Sequence, residues 1–313
     1  MLEGKRVAVV VPAYDEEALV VETLRGIPEL VDTVYVVDDA SRDATAERAS
    51  ELGDPRVEVI RHERNRGVGA AIMTGYERAL EDGIDVACVM AGDNQMDPQE
   101  LRGLVEPVAR GEVEYAKANR LVSGEAWKVI PRTRYLGNAV LSLLTKIASG
   151  YWHVADSQAG YTAISRDALA RLDLDRLYPR YGFPNDLLVH LNVENARVRD
   201  IPSRPIYDVG EESGIRLHSV IPRISWLVFR AFWWRLGQKY VIRDFHPLVF
   251  FYVFGVLMTV AGLALGFAEA VLRILGNEIT TPTIVLVAVL LIAGIQLTLF
   301  AMWFDMEANK DLR

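Results

Sequence analysis

Residues 89–98 read Val89-Met90-Ala91-Gly92-Asp93-Asn94-Gln95-Met96-Asp97-Pro98. An apolar run of the kind that forms a buried strand passes without a break into carboxylates, amides and a proline. Side chains rich in oxygen therefore stand where a strand ends. Three upstream segments repeat the arrangement. Residues 7–11 lead into Pro12-Ala13-Tyr14-Asp15-Glu16-Glu17, residues 33–37 into Asp38-Asp39-Ala40-Ser41-Arg42-Asp43, and residues 57–61 towards Asn65-Arg66-Gly67-Val68-Gly69. Amphipathic stretches near 16–27, 44–52, 69–81 and 98–110 follow these runs in turn. That alternation predicts a mainly parallel α/β sheet with helices on both faces. Beyond a strand over 115–119 the pattern loosens, with helix-like runs at 133–149 and 185–194. There is no internal repeat and no low-complexity segment.

In open α/β sheets ligands bind beyond the carboxyl ends of the strands. Taken singly, each end has a local explanation: Ser41 or Asp43 can cap a helix, and Gly67 and Gly69 can be turn glycines. Four polar ends at one sheet edge are more than capping requires. No G-x-G-x-x-G follows the first strand and no Walker lysine motif is present, which excludes a dinucleotide dehydrogenase and a P-loop nucleotidase. Carboxylates around a phosphate-bearing ligand imply a divalent cation between them, and Mg²⁺ or Mn²⁺ suits hard oxygen donors.

The 313 residues are 51% hydrophobic, enough for a sizeable core. Two apolar runs, 247–272 and 282–304, are each long enough at ~1.5 Å per residue to cross a ~30 Å hydrocarbon layer. They are expected to form a membrane hairpin, with buried core helices as the alternative. Arg216, Arg223, Arg230, Arg235, Lys239 and Arg243 precede the hairpin and Lys310 and Arg313 follow it, so both flanks are expected in the cytoplasm. Between residues 215 and 240, eleven Ile, Leu, Phe and Trp residues interleave with five cations. Such a mixture suits a helix in the headgroup layer or one packed on the catalytic domain. The expected division is thus 1–214 catalytic, 215–245 interfacial and 246–305 transmembrane. Residues 1–215 carry a net charge of −11 and residues 216–313 one of +3, so nucleic acid is an unsuitable partner. Lysine accounts for only 6 of 34 cations, which fits a salt-rich cytoplasm. The single cysteine, Cys88, lies in an apolar strand and reads as a small core residue.

The motifs PAYDEE, VVDDASRDAT, NRGVGAAIMTGY and GDNQMDP, in this order and spacing, resemble family 2 glycosyltransferases of the GT-A fold. Within that family the chain is most similar to polyprenol-phosphate and dolichyl-phosphate hexose synthases, including archaeal ones. The resemblance spans roughly residues 5–215. It implies that Pro12, Tyr14, Glu16, Asp38 and Asp39 line the base and ribose pocket of a nucleotide sugar, with Gly67 and Gly69 beside it. It implies further that Asp93 and Gln95 hold a cation on the diphosphate, and that Arg120 stands near the phosphates. Where the family usually has Asp-x-Asp, this chain has Ala91. Asp97 could replace the missing ligand, or could cap the helix that opens at Pro98.

The segments 156–161 and 182–186 resemble acceptor-side segments. There Asp186 is either a general base or a helix N-terminal acid. Arg132 and Arg134, ahead of a helix-like run, are candidates for gripping a lipid phosphate. A phosphate acceptor is already ionised, needs no side-chain base, and attacks with inversion. The expectation is hexosyl transfer, with UDP-glucose favoured, to dolichyl or polyprenyl phosphate at the cytosolic membrane face, in service of protein glycosylation. The alternatives are a mannosyl enzyme using GDP-mannose and a catalytically silent GT-A binding protein. A processive polysaccharide synthase is disfavoured, since no Gln-x-x-Arg-Trp occurs and two helices make a poor channel.

Overall fold

A computed structural model describes residues 1–121, 132–204, 217–276, 278 and 280–313, with the side chains of 132–136, 138 and 217–221 excepted. Seven strands, β1 (Val7–Ala13), β2 (Thr33–Asp38), β3 (Val57–Arg61), β4 (Val86–Val89), β5 (Tyr115–Asn119), β6 (Thr162–Ser165) and β7 (Val198–Pro202), form one sheet. Their order is β3-β2-β1-β4-β6-β5-β7. Only β6 runs antiparallel to its neighbours, with Thr162 opposite both Val89 and Lys117. Hence the start of β6, rather than its end, lies at the edge where the other strands terminate.

The interior strand β1 is buried along its whole length, as a parallel strand covered on both faces must be. Alternate residues feed two cores. Ala8 and Val10 join one that includes Ile72 and Tyr76 of α3 (Val68–Glu81) and Leu187 and Leu191 of α7 (Phe183–Val193). On the other face Val7, Val9 and Val11 join Leu24 of α1 (Val20–Gly26) and Leu104 of α4 (Leu101–Ala109). Helix α2 (Thr45–Glu51) follows β2 and α6 (Arg166–Arg171) follows β6. The expected α/β sheet with helices on both faces is therefore present.

Helix α5 (Arg132–Ser149) is amphipathic in an inverted sense. Its hydroxyl residues Ser142, Thr145 and Ser149 are buried, whereas Val140, Leu143 and Leu144 face outward.

Two compact units emerge, Met1–Trp233 with Asp311–Arg313, and Trp234–Lys310. Helix α8 (Leu217–Gly237) crosses the boundary in the chain and continues as a π-helical turn, Gln238–Arg243. The second unit consists chiefly of α9 (Leu248–Ile274) and α10 (Thr281–Ala308), both long and apolar enough to cross a membrane. They are not buried as core helices are: Phe254, Leu257, Leu263 and Phe267 on one, and Ile284, Val289 and Ile292 on the other, are exposed. The pair closes tightly on glycine. A Cβ at Gly255 would stand 2.6 Å from Thr298 Oγ1, and one at Gly294 would stand 2.5 Å from Thr259 Oγ1. Small residues that let backbones approach are the usual means of packing helices where lipid removes any hydrophobic drive between them. At the end of this unit, buried Asp305 accepts two 2.9 Å hydrogen bonds from Arg235 and one of 2.7 Å from Tyr240.

Candidate active site

The loops after β1 and β2 are tied to each other through backbone amides. The N–H groups of Asp15, Glu16 and Glu17 donate to Ser41 Oγ, Thr45 Oγ1 and Asp43 Oδ2 at 3.0, 2.8 and 3.1 Å. In return Asp15 accepts from Arg42 N at 2.7 Å and Glu17 from Ala44 N at 3.0 Å. Asp15 and Ala40 take left-handed backbone angles to make the crossing. Of the residues expected to line a nucleotide pocket, Pro12 is buried in β1, while Tyr14 and Glu16 are half-buried.

Asp38 and Asp39 end β2 as expected, but their carboxylates are turned inward. Fully buried Asp38 accepts from Ser41 N at 3.1 Å and from the Ser41 hydroxyl, and Arg61 Nε stands 3.1 Å from its other oxygen, off the hydrogen-bond direction. Asp39 binds His62 Nδ1 (2.7 Å), Arg66 N (2.8 Å) and Gly67 N (2.7 Å). It therefore organises the Arg66–Gly67 turn from beneath. Gly67 has φ +102°, and a Cβ there would lie 2.6 Å from Pro179 O; one at Gly69 would lie 2.6 Å from Tyr178 O. Both glycines thus admit the 178–180 backbone, and Ala70 N donates to Pro179 O at 3.0 Å.

Beyond β4 the chain turns at Asn94, whose φ is +56°. Asp93 is half-buried and, among the described residues, its side chain accepts a 3.1 Å bond from Gln95 N. Burial pushes its carboxyl up from the ordinary range, and among the described residues backbone N–H groups, not a cationic side chain, oppose the shift. A carboxylate desolvated in this way lacks the counter-charge that a divalent cation would supply. Gln95 stands two residues on and is likewise half-buried. Among the described residues no three His, Cys, Asp or Glu side chains gather to hold a metal. The donor set fits a cation that draws most of its ligands from diphosphate and water, and does not fit one held by protein alone. Asp97 caps the 3₁₀ turn Pro98–Glu100 by accepting from Gln99 N at 2.9 Å. At the vacant family position, Ala91 N donates to Met96 Sδ at 3.3 Å.

Arg120 leaves β5 in a forked ion pair with Asp156, Nε to Oδ2 at 2.8 Å and Nη2 to Oδ1 at 3.2 Å. Burial alone would raise the Asp156 pKa, but the charge and hydrogen bonds of Arg120, with Lys117 nearby, more than offset it and hold the carboxyl below its usual range. Lys117, fully buried within β5, donates to Ala159 O, and burial brings its ammonium down to about 8. Asp200 of β7 accepts from Ala155 N and Asn119 Nδ2, each at 2.7 Å. Burial pushes its carboxyl up to about 6.

The first turn of α7 touches both clusters. Asp186, 6% exposed, accepts from Tyr178 N at 2.9 Å, and burial pushes its carboxyl up to about 6. Asn185 Oδ1 accepts from Gln158 Nε2 at 2.6 Å and Thr145 Oγ1 at 2.9 Å. This network is what the buried hydroxyl face of α5 serves. The side chains of Arg132 and Arg134 lie outside the described residues. Three ionic residues, buried Lys117 and Asp156 and half-buried Asp200, were given no role from sequence. A lysine inside the apolar strand Tyr-Ala-Lys-Ala-Asn was the available signal.

The fold is shared with glucosyl-3-phosphoglycerate synthase from Mycobacterium tuberculosis, crystallised with Mn²⁺, UDP and glucosyl-3-phosphoglycerate. The match has a TM-score of 0.55 and 22% identity over 75% of this chain and 81% of that one. A UDP-N-acetylglucosamine–dolichyl-phosphate N-acetylglucosaminyltransferase of Methanococcus voltae is 29% identical over 66% of this chain and 88% of its own length. An undecaprenyl-phosphate mannosyltransferase of Micrococcus luteus is 32% identical over 63% and 82%. The model of glycosyl transferase family 2 matches residues 8–173, more than half of the sequence. The chain belongs to glycosyl transferase family 2.

Proposed function

We propose that this glycosyltransferase moves a hexose from a nucleotide sugar to a polyprenyl or dolichyl phosphate at the cytosolic face of a membrane, for use in protein glycosylation. One observation carries the reading: the acidic loops of β1 and β2, the desolvated Asp93 and the clamped Arg120 all belong to the single sheet edge where ligands of such sheets bind. The named activities of the M. voltae and M. luteus relatives support a lipid phosphate as acceptor.

The loops after β1 and β2 and the Gly67–Gly69 turn would hold base and ribose. Asp93, with Gln95, would hold Mg²⁺ or Mn²⁺, whose chemistry is neutralisation of the diphosphate charge, while Asp97 serves as the cap of the following turn. Arg120, kept charged and forked on Asp156, would add a second positive group for the leaving diphosphate. An acceptor phosphate oxygen attacks the anomeric carbon as the bond to diphosphate breaks on the opposite face, giving inversion. No protein base is needed. Arg132 and Arg134 are assigned to the acceptor phosphate.

The lipid side of the reading draws on outward apolar surface. Val140, Leu143 and Leu144 of α5 are exposed, as are Trp226 and Phe229 of α8, whose rings stack at 5.6 Å. We assign residues 1–214 to catalysis, 215–245 to the headgroup layer and 246–305 to a hairpin with both flanks cytoplasmic, from the cation distribution.

UDP-glucose is the favoured donor because Ala91 replaces the first aspartate of the mannosyl-type Asp-x-Asp; the M. voltae relative supports UDP-N-acetylglucosamine instead. Membranes bearing the enzyme, given dolichyl phosphate and radiolabelled UDP-glucose, UDP-N-acetylglucosamine or GDP-mannose, decide between them. Label should enter the lipid phase from one UDP sugar. Labelling from GDP-mannose alone would overturn the donor, and labelling of protein or soluble glycan alone would overturn the acceptor.

A further inference from the structure

Residues 155–161 form the one stretch of the sheet edge that enters a strand rather than leaving one, and charges behind it hold it in place. At its start Ala155 N donates to Asp200 at 2.7 Å; near its end Ala159 O accepts from the Lys117 ammonium. Between these two anchors sits Asp156, forked on Arg120 and also accepting from Gln158 N at 3.2 Å. One step further, Tyr161 OH donates to Asp97 O at 3.0 Å and so reaches the Asp93 segment. Lys117 is 0% exposed between Ala116 and Ala118, where an apolar side chain would avoid the desolvation of an ammonium. Stability therefore does not account for a lysine at this position. The groups facing its ammonium are Asp156, Asp200 and Arg120.

We infer that Lys117 and Asp200 are positioning residues for transfer: they fix the two ends of the 155–159 loop so that Asp156 aims the Arg120 guanidinium at the departing diphosphate. Neither meets substrate. The inference rests on the proposed placement of Arg120 beside the diphosphate. It sets Lys117 apart from an ordinary buried ion, because its effect must pass through Arg120 and must fall on turnover rather than on nucleotide affinity.

A double-mutant cycle on the full-length enzyme in detergent tests this, with dolichyl phosphate and radiolabelled UDP-glucose and UDP-N-acetylglucosamine as substrates. Lys117→Met should lower kcat at least 30-fold while donor KM and UDP affinity change less than 3-fold. In an Arg120→Ala background the same substitution should lower kcat less than 3-fold further. Asp200→Asn, run through the same cycle, keeps an acceptor oxygen and reports if Lys117→Met does not fold. Additive losses with Arg120→Ala would overturn the inference while leaving the role of Arg120 intact. An Arg120→Ala enzyme with normal kcat would overturn the inference together with the placement on which it rests.

Discussion

The two halves of the sheet edge use charge in opposite ways. On the β1–β2–β3 side, Asp15, Glu17, Asp39 and Asp43 spend their carboxylates on backbone N–H groups of neighbouring loops. On the β4–β6–β5–β7 side, Arg120, Asp156, Lys117 and Asp200 answer one another, and among the described residues no cationic side chain opposes the desolvation of Asp93. The first half converts charge into shape, a cradle whose loops are braced before any ligand arrives. Charge itself is held ready in the second, where burial makes it worth more to a developing negative charge. Damage to the first should appear as lost stability and donor binding, and damage to the second as lost rate.

The sharpest way to break this contrast is Asp93→Ala. Transfer should fall by roughly 10²–10³-fold, the scale of losing one preorganised electrostatic group. Thermal unfolding should be unchanged, since among the described residues the Asp93 side chain makes a local bond to Gln95 N. Wild-type turnover in the purified variant would remove Asp93 from the site. Next comes Asp156→Asn, which leaves Arg120 without its ionic partner and should lower kcat about 10²-fold, donor KM moving little. A loss confined to KM would place Arg120 in ground-state binding instead.

On the other half, Asp39→Ala removes acceptors from His62, Arg66 N and Gly67 N and should cost about 3 kcal/mol in a denaturant titration, with weakened UDP binding by calorimetry. If stability held and only kcat fell, the division between the halves would be wrong.

Asp186 gives a pH test. Burial raises its folded pKa to about 6, above the ordinary aspartate value of 3.8, so the folded state binds this proton more tightly than the unfolded one. The resulting stabilisation is present below about pH 4 and is lost as pH rises through 6. Relative to Asp186→Asn, the wild type should therefore lose about 2 kcal/mol between pH 4 and 7, followed by chemical unfolding. Transfer by the variant should stay within 10-fold, as an ionised phosphate needs no base. The smallest effect belongs to Asp97→Ala: about 1 kcal/mol for a lost cap, with Mn²⁺ dependence unchanged. A shifted Mn²⁺ requirement would make Asp97 a ligand after all.

These halves also differed in how far they could be read from sequence. Strands β1, β2 and β4 are apolar runs with polar ends, the pattern of parallel strands covered on both faces, while the edge strand β3 is broken by Glu58 and half-buried; their loops were legible with them. Neither β6 nor β7 was anticipated. The first has four residues and passes straight into a helix, and the second, Val-Arg-Asp-Ile-Pro, carries two charges. Arg120 and Asp93 were identified through motifs, yet the partners that give Arg120 its setting were not. Asp156 lies 36 residues away and Ala159 is 42 from Lys117, separations that only the fold closes. The reading of Asp39 as a ligand contact missed that His62, Arg66 and Gly67 use its oxygens. Gly67 and Gly69 were legible as glycines needed somewhere, but their reason, the backbone at 178–180, lies more than a hundred residues downstream.

The reversed strand β6 has a consequence for the order of assembly. It comes after β5 in the chain but sits between β4 and β5, so those two earlier strands cannot be bridged until residues 162–165 arrive. Strands β1 to β4 can pair with one another first, leaving the Val86–Val89 edge of β4 open meanwhile. An unpaired apolar edge is a template for wrong partners, and long-range insertions of this kind are slow. Pairing of β1 to β4 can thus precede the arrival of β6, which closes the gap and carries Asp156 to Arg120.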